Sequence, residues 1–423
     1  MRMRDDAAIV VSGVGVVSAI GQGRAAFIDA LLEGRHRFDT MRRPGRQWRP
    51  NGDVPATAFL GAEIDALTIP ATVSRGLSRT ASLSAQAALA VLDEAWRDAC
   101  LGDVDPERIG LVIGGSNMQQ REQVLLQDAY RERAGFMRPT YAMSFMDTDM
   151  CGICSEAFGI RGFAQTVGAA SASGQVAVLH AIEAVRSARV DVCIAIGGLM
   201  DLSYWECQAF SSLGAMAPGH DGIQAALVSR PFDAKRNGFV YGEACAALVI
   251  ERDDARHRNG VAPYGYIAGW STVLDANRNP DPSFAGETAV IRDVLARARL
   301  DARDIDYVNP HGTGSPLGDV IELQALRACG LDHAYLNATK SITGHGLSAA
   351  GAVELVAVLL QMRAGRLHPT RNLNHPIESD FNWVRQQSVP HEIRHALNLS
   401  IGFGGVNTAV CVSRDDAAAA GAL

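Results

Sequence analysis

Residues 305–319 read Ile-Asp-Tyr-Val-Asn-Pro-His-Gly-Thr-Gly-Ser-Pro-Leu-Gly-Asp, a short apolar run that leads into a glycine-rich turn. The run at 305–309 predicts a buried strand, and His311, Thr313 and Ser315 follow it. Polar groups in open α/β sheets gather beyond the carboxyl ends of the strands, so this stretch predicts a site on an α/β scaffold.

Apolar runs of strand and helix character alternate in the same way along most of the chain. The predicted strands span 7–17, 109–113, 162–170, 190–196, 244–251, 264–270, 305–309, 396–401 and 408–413. The predicted helices span 25–32, 82–95, 174–187, 287–298 and 349–362. Strands that alternate with helices imply an α/β fold with a mostly parallel sheet that helices cover on both faces.

The length of 423 residues is too great for one simple core and fits two fused α/β halves. No Pro/Ser-rich linker separates the halves, and we expect the join near residues 255–262. We predict an N-terminal half, 1–257, with a candidate nucleophile, and a C-terminal half, 258–423, with the histidine, lysine and glycine-rich motifs.

Composition and charge exclude several classes of protein. The formal net charge of −7 leaves no basic excess to neutralise nucleic-acid phosphates. No apolar run reaches the roughly 18 residues that span a bilayer. Eight scattered cysteines, without a recognisable secretory leader, suggest reduced thiols. We expect a cytoplasmic protein that binds neither nucleic acid nor membrane.

Two motifs along the chain are misleading. Gly13 and Gly15 mimic the start of a dinucleotide fingerprint, but the third glycine is missing, so a tight strand-to-helix turn is favoured. Cys151 and Cys154 form a CxxC without a second pair at zinc-finger spacing, so we expect neither a metal site nor redox chemistry.

Three further segments place reactive groups beside glycines. They are Gly-Ala-Ala-Ser-Ala-Ser-Gly at 168–174, Ala-Thr-Lys-Ser-Ile-Thr-Gly-His at 338–345 and Ser-Ile-Gly-Phe-Gly-Gly-Val-Asn at 400–407. Small residues around Ser171 allow a sharp turn before a helix, whose dipole stabilises an anion. Simple helix capping by Ser171 or Ser173 is the alternative. The glycines of the last segment leave backbone N–H groups free to bind an oxyanion.

Lysine is rare in this chain. Of the 39 basic residues only Lys235 and Lys340 are lysines, and Lys340 lies in one of these segments. Because a compact ammonium and a planar guanidinium interact differently, Lys340 is a candidate functional residue. Chance codon usage is the alternative.

Together, these motifs resemble those of the β-ketoacyl-ACP synthases, in particular the synthase II branch and its type II polyketide relatives. The resemblance begins at 10–18, includes Ser-Arg-Pro-Phe-Asp at 229–233 and Gly-Phe-Val-Tyr-Gly-Glu at 238–243, and ends at the glycine-rich segment after Ser400. It implies a thiolase-like fold of αβαβα layers with two pseudo-symmetric halves. It also implies a dimer that acts on acyl groups carried by acyl carrier protein.

The resemblance assigns roles to the residues that match its motifs. His311 and His345 resemble the two histidines that promote malonyl decarboxylation, and Lys340 resembles the lysine that orders and polarises the site. Asp319 and Glu354 resemble supporting residues of the same two motifs.

The same comparison predicts how the substrate is held. Thr313 and Ser315 match the positions that hydrogen-bond the phosphopantetheine arm, with serine replacing threonine at 315. Phe403 resembles the gating phenylalanine, and its backbone N–H is expected to form an oxyanion hole with that of residue 171. The resemblance implies no metal and no cofactor beyond the pantetheine arm of the carrier.

One position departs from the family pattern, in which a small residue and alanine precede a catalytic cysteine. Here Ala169 and Ala170 precede Ser171. A serine hydroxyl needs a positioned base, for which His311 or His345 is the candidate. An oxoester on serine is less electrophilic than a thioester, so condensation would suffer more than acyl transfer. Decarboxylation needs no nucleophile.

Three functions follow from this departure. The first is a β-ketoacyl-ACP synthase-like acyltransferase of fatty-acid or polyketide biosynthesis, with Ser171 as its nucleophile. The second is a malonyl-ACP decarboxylase that generates starter units with the histidines alone. The third is a non-catalytic, chain-length-factor-like partner of an active ketosynthase. All catalytic versions require the side chains of Ser171, His311, His345 and Lys340 to converge on one buried pocket.

The expected partners are acyl carrier protein and a second subunit. Carrier proteins are acidic, so docking should use a local basic patch, for which Arg75 and Arg79 match the family position. The stretch 42–49 is a rival basic patch without motif support, and ordinary solvated arginines are the alternative. We expect a homodimer, or a heterodimer with a cysteine-bearing ketosynthase.

Overall fold

The structure, a computed structural model, describes residues 7–47, 59–219, 224–253 and 261–415. Its strands are β1 (Ile9–Ser18), β2 (Gly21–Gln22), β3 (Phe38–Thr40), β4 (Leu60–Ala62), β5 (Ile109–Gly114), β6 (Phe163–Val167), β7 (Val192–Gly197), β8 (Tyr241–Gly242), β9 (Ala244–Arg252), β10 (Gly265–Leu274), β11 (Tyr307–Asn309), β12 (Tyr335–Leu336), β13 (Arg366–Leu367), β14 (Asn382–Trp383), β15 (Val389–Pro390), β16 (His395–Gly402) and β17 (Val406–Ser413).

Its α-helices are α1 (Arg24–Leu32), α2 (Arg75–Thr80), α3 (Leu83–Asp98), α4 (Gln120–Tyr130), α5 (Tyr141–Ser144), α6 (Thr148–Phe158), α7 (Ser173–Arg186), α8 (Tyr204–Ser212), α9 (Phe284–Ala298), α10 (Gly318–Ala328), α11 (Lys340–Thr343) and α12 (Ala350–Ala364).

The central sheet consists of two halves with the same topology. Its strand order is β14-β12-β11-β16-β17-β10-β1-β9-β7-β5-β6. When the five main strands of each half are numbered along the chain, β6-β5-β7-β9-β1 reads 3-2-4-5-1, and β12-β11-β16-β17-β10 reads the same. The prediction of two pseudo-symmetric α/β halves is therefore confirmed.

Strand direction differs from the prediction of a mostly parallel sheet. In the first half β5 pairs in parallel with β6 and β7, whereas β9 runs antiparallel to β7 and β1. The second half repeats this pattern. The sheet is mixed, and the sequence did not show this because a strand buried on both faces is an unbroken apolar run in either direction.

Helices cover the sheet in layers. Helix α3 packs on β1 and β9 and also contacts α6, while α9 packs on β10 and β17 and also contacts α10. Helices α7 and α12 pack against each other and against strands of both halves, which makes them the central layer. A Cβ on Gly174 would lie 2.8 Å from Ser348 O, and a Cβ on Gly351 would lie 2.8 Å from the Gln175 Cβ. Glycine at both positions allows this close contact.

Most of the predicted elements are present, with ends that differ by a few residues. The main differences are β6, which ends at Val167 instead of continuing to residue 170, and the unpredicted helices α4, α6, α8 and α10. Helix α4 buries none of its residues, so it lacks the apolar stripe that reveals a helix in a sequence. Beyond β6 the chain forms the tight turn that carries Ser171.

Three further predictions concern the domain boundary, membrane-spanning segments and the CxxC motif. The predicted boundary between residues 257 and 258 lies outside the described residues. The stretch Leu347–Ala364 has 18 residues and a mean hydropathy of 1.4, so one segment does reach the length of a membrane span, but 89% of it is buried inside the protein. Cys151 and Cys154 are free thiols buried in the core on α6, and the expectation that they carry neither metal nor redox chemistry stays a prediction.

Candidate active site

A cavity of ≈ 270 Å³ lies where the two halves meet. Seven of the predicted site residues line it. One of them, Asp319, lies near the start of helix α10, and the other six are Ser171, His311, Thr313, Ser315, His345 and Phe403. They come from the loops that follow β6, β11, β12 and β16. The expectation that these segments converge is therefore met by the fold.

Ser171 lies in the turn between β6 and α7. Ala170 has φ 47°, in the left-handed region that residues with a Cβ rarely adopt. Ser173 Oγ accepts a hydrogen bond from Ala169 N at 2.8 Å and donates one to Ala170 O at 2.7 Å. Helix α7 has Ala172 as its N-cap and no side-chain cap. Neither serine caps helix α7, so the capping alternative is wrong. The Ser173 hydroxyl forms hydrogen bonds within the turn, and Ser171 faces the cavity.

His345 connects Ser171 to the second half of the molecule. Its Nε2 lies 3.0 Å from Ser171 Oγ, and its Nδ1 accepts a hydrogen bond from Leu347 N at 3.3 Å. A backbone N–H only donates, so the network assigns the hydrogen of the neutral ring to Nε2. His345 therefore donates to Ser171 and is not placed to accept the proton of its hydroxyl.

His311 faces His345 across the cavity. The two ring centroids are 5.5 Å apart, with planes inclined by 82°. The Nδ1 of His311 has no hydrogen-bond partner among the residues that the structure describes. Burial lowers the pKa of both imidazoles well below the usual value, and the nearby positive charge of Lys340 lowers it further. The cavity thus holds two neutral imidazoles.

Lys340 lies one layer behind the cavity wall. Its side chain is 3% exposed, and Nζ contacts the backbone carbonyl of His311 and lies 2.5 Å from Glu354 Oε1. Burial raises the pKa of Glu354 to about 7, although the Lys340 ammonium acts in the opposite direction. The predicted convergence is correct for three of the four side chains, whereas Lys340 acts on the cavity through its neighbours.

Two buried carboxyls of α10 hold the loop that carries His311. Asp319 accepts hydrogen bonds from Phe232 N at 2.7 Å and Gly314 N at 3.1 Å. Glu322 accepts them from His311 N at 2.5 Å and Gly312 N at 2.8 Å. Sequence reasoning found Asp319 and missed Glu322. The spacing of three residues, which places two acids on one face of a helix, was the available signal.

The predicted pantetheine contacts lie on this loop. Thr313 Oγ1 accepts a hydrogen bond from Ser315 N at 3.3 Å, and Ser315 Oγ accepts one from Gly318 N at 3.2 Å. The Ser315 hydroxyl therefore also supports the start of α10. Both side chains remain partly exposed to the cavity, so their predicted contact with the substrate arm stays a prediction.

Phe403 forms part of the cavity rim and is 41% exposed. Strand β16 brings it there by passing directly along the Ser171 turn. A Cβ on Gly402 would lie 2.2 Å from Ala169 O, so only glycine permits this approach. The predicted pairing of the two backbone N–H groups as an oxyanion hole stays a prediction.

Family models for the β-ketoacyl synthase N-terminal domain and C-terminal domain match residues 6–255 and 264–374, respectively. The chain belongs to the β-ketoacyl synthase family. The resemblance inferred from the motifs is thereby confirmed, and the protein is an enzyme of the 3-oxoacyl-ACP synthase family.

This ketosynthase has relatives along its whole length. It is 57% identical over 404 residues to the polyketide biosynthesis malonyl-ACP decarboxylase PksF of Bacillus subtilis (strain 168), with 96% of each chain covered. It is 33% identical over 425 residues to a putative polyketide β-ketoacyl synthase 1 of Streptomyces halstedii, covering 96% of this chain and 97% of the relative.

The solved structure of a β-ketoacyl synthase from Burkholderia phymatum STM815 matches the ketosynthase with a TM-score of 0.84 at 25% identity. The match covers 97% of this chain and 100% of that one. The predicted thiolase-like α/β fold is confirmed.

The two basic patches differ in accessibility. Arg75 and Arg79 are exposed on α2 and form no ion pair with any residue that the structure describes. In the rival patch, Arg43 and Arg46 are paired with Glu243, and Arg46 is completely buried. The described part of the rival patch is therefore mainly structural.

Sequence reasoning also missed Glu287, whose carboxyl is buried beside the cavity. Its side chain is 3% exposed, and neither oxygen has a hydrogen-bond partner among the described residues. Burial raises the pKa of Glu287 well above the usual value, and the charges of Glu322, Asp275 and Asp319 raise it further. Burial among these acids therefore favours the protonated form of Glu287 in the folded enzyme.

The raised pKa predicts a loss of stability with rising pH. Above about pH 4.5 the unfolded chain ionises Glu287 while the folded protein keeps its proton, so the free energy of unfolding falls until the folded pKa is reached. The contribution is at most about 1.4 kcal/mol per pH unit. Glu287→Gln should remove it, as measured by urea unfolding from about pH 5 to about pH 8.

The exposed Glu132 provides a matched control, because Glu132→Gln makes the same chemical change outside the core. It should leave the pH dependence of stability as in the wild type. If Glu287→Gln and Glu132→Gln gave the same dependence, the assignment of a neutral carboxyl at 287 would be wrong.

Proposed function

We propose that this ketosynthase removes CO2 from malonyl groups on acyl carrier protein and releases acetyl groups on the carrier. The observation that carries the proposal is the pair of hydrogen bonds to His345. Nδ1 accepts from Leu347 N, so Nε2 presents its hydrogen beside Ser171. The site contains a hydrogen-bond donor where a nucleophilic serine would need a base.

The geometry matches the needs of decarboxylation. When the bond to the carboxylate breaks, its electron pair moves onto the thioester oxygen, where a neutral imidazole N–H can stabilise the new charge. The carboxylate loses its charge when it leaves as CO2. Apolar walls such as Phe239, Leu347 and Phe403 favour this loss, because they solvate a charged carboxylate poorly. Since the thioester itself accepts the electron pair, we expect no metal and no other cofactor.

The relatives support the same activity. The relative that is 57% identical is named a malonyl-ACP decarboxylase of polyketide biosynthesis, whereas those near 33% are named β-ketoacyl synthases. This favours a place in polyketide biosynthesis and the second of the three functions derived from the sequence.

Acyl transfer through Ser171 is the second candidate. The observation that favours it is the distance of 3.0 Å between Ser171 Oγ and His345 Nε2, which would suit a serine and its base if the ring hydrogen moved to Nδ1. That tautomer would break the bond from Leu347 N.

A silent chain-length-factor-like partner has less support, because the buried Lys340–Glu354 pair and both imidazoles are in place.

Decarboxylation is tested by mass spectrometry of the carrier. Incubation with malonyl-ACP should produce acetyl-ACP and CO2 without adding mass to the enzyme. His345→Ala should lower the rate about 10²- to 10³-fold, because it removes a donor to the developing oxyanion. His180→Ala, at an exposed position on α7 whose ring hydrogen-bonds to Gln165, should leave the rate unchanged.

Decarboxylation and acyl transfer through Ser171 are distinguished by the mass of the enzyme after incubation. An acyl adduct on the enzyme that disappears in Ser171→Ala would establish acyl transfer and displace the decarboxylase. Malonyl-ACP that stays intact with fully folded enzyme would rule out decarboxylation.

We also propose that the carrier docks at Arg75 and Arg79, because both are exposed and free to pair with an acidic partner. The carrier's arm would then enter past Phe403 and contact Thr313 and Ser315. Arg75→Glu should raise the KM for malonyl-ACP several-fold at low salt, and the difference should shrink at high salt through screening. Kinetics at two ionic strengths measure this.

Arg303→Glu serves as the control, since it makes the same charge change at an 82% exposed arginine in the other half. Equal effects of the two variants would indicate a general charge effect and exclude a docking site at Arg75.

The expected homodimer has a candidate interface at the open end of the sheet. Strand β6 ends the sheet, and Thr166 on it donates a hydrogen bond to Asp147 O at 2.8 Å. Next to this edge, Met143, Phe145 and Met146 are at least 50% exposed. An uncovered edge beside exposed apolar side chains is a typical protein interface.

Met143→Glu should convert the dimer to a monomer, as measured by light scattering, because a charge would be buried in the interface. Leu274→Glu, at a residue that is 69% exposed and lies outside this surface, should leave the dimer intact. A wild-type monomer, or a Met143→Glu dimer, would exclude this interface.

All eight cysteines are free, which supports the expected cytoplasmic location.

A further inference from the structure

The hydroxyl hydrogen of Ser171 is left unused by the hydrogen bonds around it. His345 Nε2–H donates to Ser171 Oγ at 3.0 Å because Leu347 N–H occupies Nδ1. No other hydrogen bond from this Oγ is formed with the residues that the structure describes. Ser171 Oγ therefore accepts one hydrogen bond and is free to donate its own hydrogen into the cavity.

The proposed decarboxylation needs a proton at this place. Loss of CO2 breaks the bond between the carboxyl carbon and C2 and leaves the electron pair in an enolate. The thioester becomes an acetyl group only when C2 takes up a proton. If the enolate oxygen binds the N–H of His345, C2 lies two bonds away from that oxygen and close to the serine, whose Oγ is 3.0 Å from the same nitrogen.

We infer that Ser171 is the proton donor that converts the enolate into the acetyl group. The O–H bond of Ser171 breaks, a C–H bond forms at C2, and the serine is left as an alkoxide. An alcohol is a stronger acid than the α-carbon of a thioester, so the transfer is downhill. A water molecule entering at Phe403 then returns a proton to the serine, and the hydroxide that remains combines with the released CO2 as bicarbonate. This inference rests on the proposed decarboxylation.

The surroundings of Ser171 stabilise the alkoxide. When C2 takes up the proton, the enolate oxygen becomes a carbonyl oxygen again and loses its charge, so the N–H of His345 can return to Ser171 Oγ, 3.0 Å away, and stabilise the alkoxide. Ser171 also lies two residues before α7, a helix of 14 residues whose N-terminus carries about half a positive charge. The left-handed conformation of Ala170 fixes the turn in which these groups meet.

Glu287 is the rival donor. Burial favours its protonated form, its oxygens have no hydrogen-bond partner among the described residues, and the residue lines the same cavity. Both of its oxygens, however, are buried below the cavity surface, next to the carboxyls of Glu322, Asp275 and Asp319. Ser171 is favoured because its hydroxyl lies at the nitrogen that would hold the enolate.

The experiment separates loss of CO2 from protonation. Each enzyme receives malonyl-ACP in the presence of ¹³CO2, and mass spectrometry follows both acetyl-ACP and the label in the remaining malonyl-ACP. Ser171→Ala should form acetyl-ACP about 10²-fold more slowly, as expected for the loss of a general acid. Its enolate should survive long enough to recapture ¹³CO2, whereas the wild type should incorporate no label.

Two further variants make the result specific. Ser171→Thr keeps a hydroxyl and should restore acetyl formation to within about tenfold of the wild type without incorporating label. Glu287→Gln should behave as the wild type. Slower turnover of Ser171→Ala without label, or label incorporation by Glu287→Gln instead, would overturn the assignment.

Failure of the proposed function gives a different result. A wild-type enzyme that neither forms acetyl-ACP nor exchanges label into malonyl-ACP is not a decarboxylase, and the role of Ser171 falls with it. A wild-type enzyme that forms acetyl-ACP, with Ser171→Ala at the same rate, keeps the function and removes the serine from the proton transfer.

Discussion

The site depends on one buried cation. The Lys340 ammonium is bound between the backbone carbonyl of His311 and the carboxylate of Glu354, so it ties the loop after β11 to helix α12. A buried charge is tolerated only with such partners, and removing either would leave the other uncompensated. Burial lowers the pKa of both imidazoles and the Lys340 charge lowers it further, so Lys340 helps to keep them neutral without entering the cavity.

The pseudo-symmetry of the fold explains why the reactive groups meet. Helices α7 and α12 occupy equivalent places in the two halves, and Ser171 and His345 each precede one of them. The glycines Gly174 and Gly351 let the starts of these helices come into contact. A hydroxyl and an imidazole that are 174 residues apart in sequence thereby come within hydrogen-bonding distance.

The hydroxyl of Ser171 determines what this geometry can do in the proposed reaction. With its hydrogen on Nε2, His345 stabilises negative charge on an oxygen, whether of an enolate or of the serine. In the proposed reaction the scaffold brings the enolate carbon to the O–H group of Ser171. The reaction that we propose then ends with a proton on that carbon.

The sequence alone determined the fold class, the two halves and those cavity residues that lie in or beside short glycine-rich motifs, because such motifs depend on local backbone geometry. Tertiary structure decided what depends on partners distant in sequence: the position of Lys340 behind the wall, the bonds of Glu322 to the loop of His311, and the buried pairing of Arg46. It also decided the tautomer of His345, since a single backbone N–H at Leu347 fixes the ring hydrogen. No motif encodes that contact, because it arises only when the chain is folded.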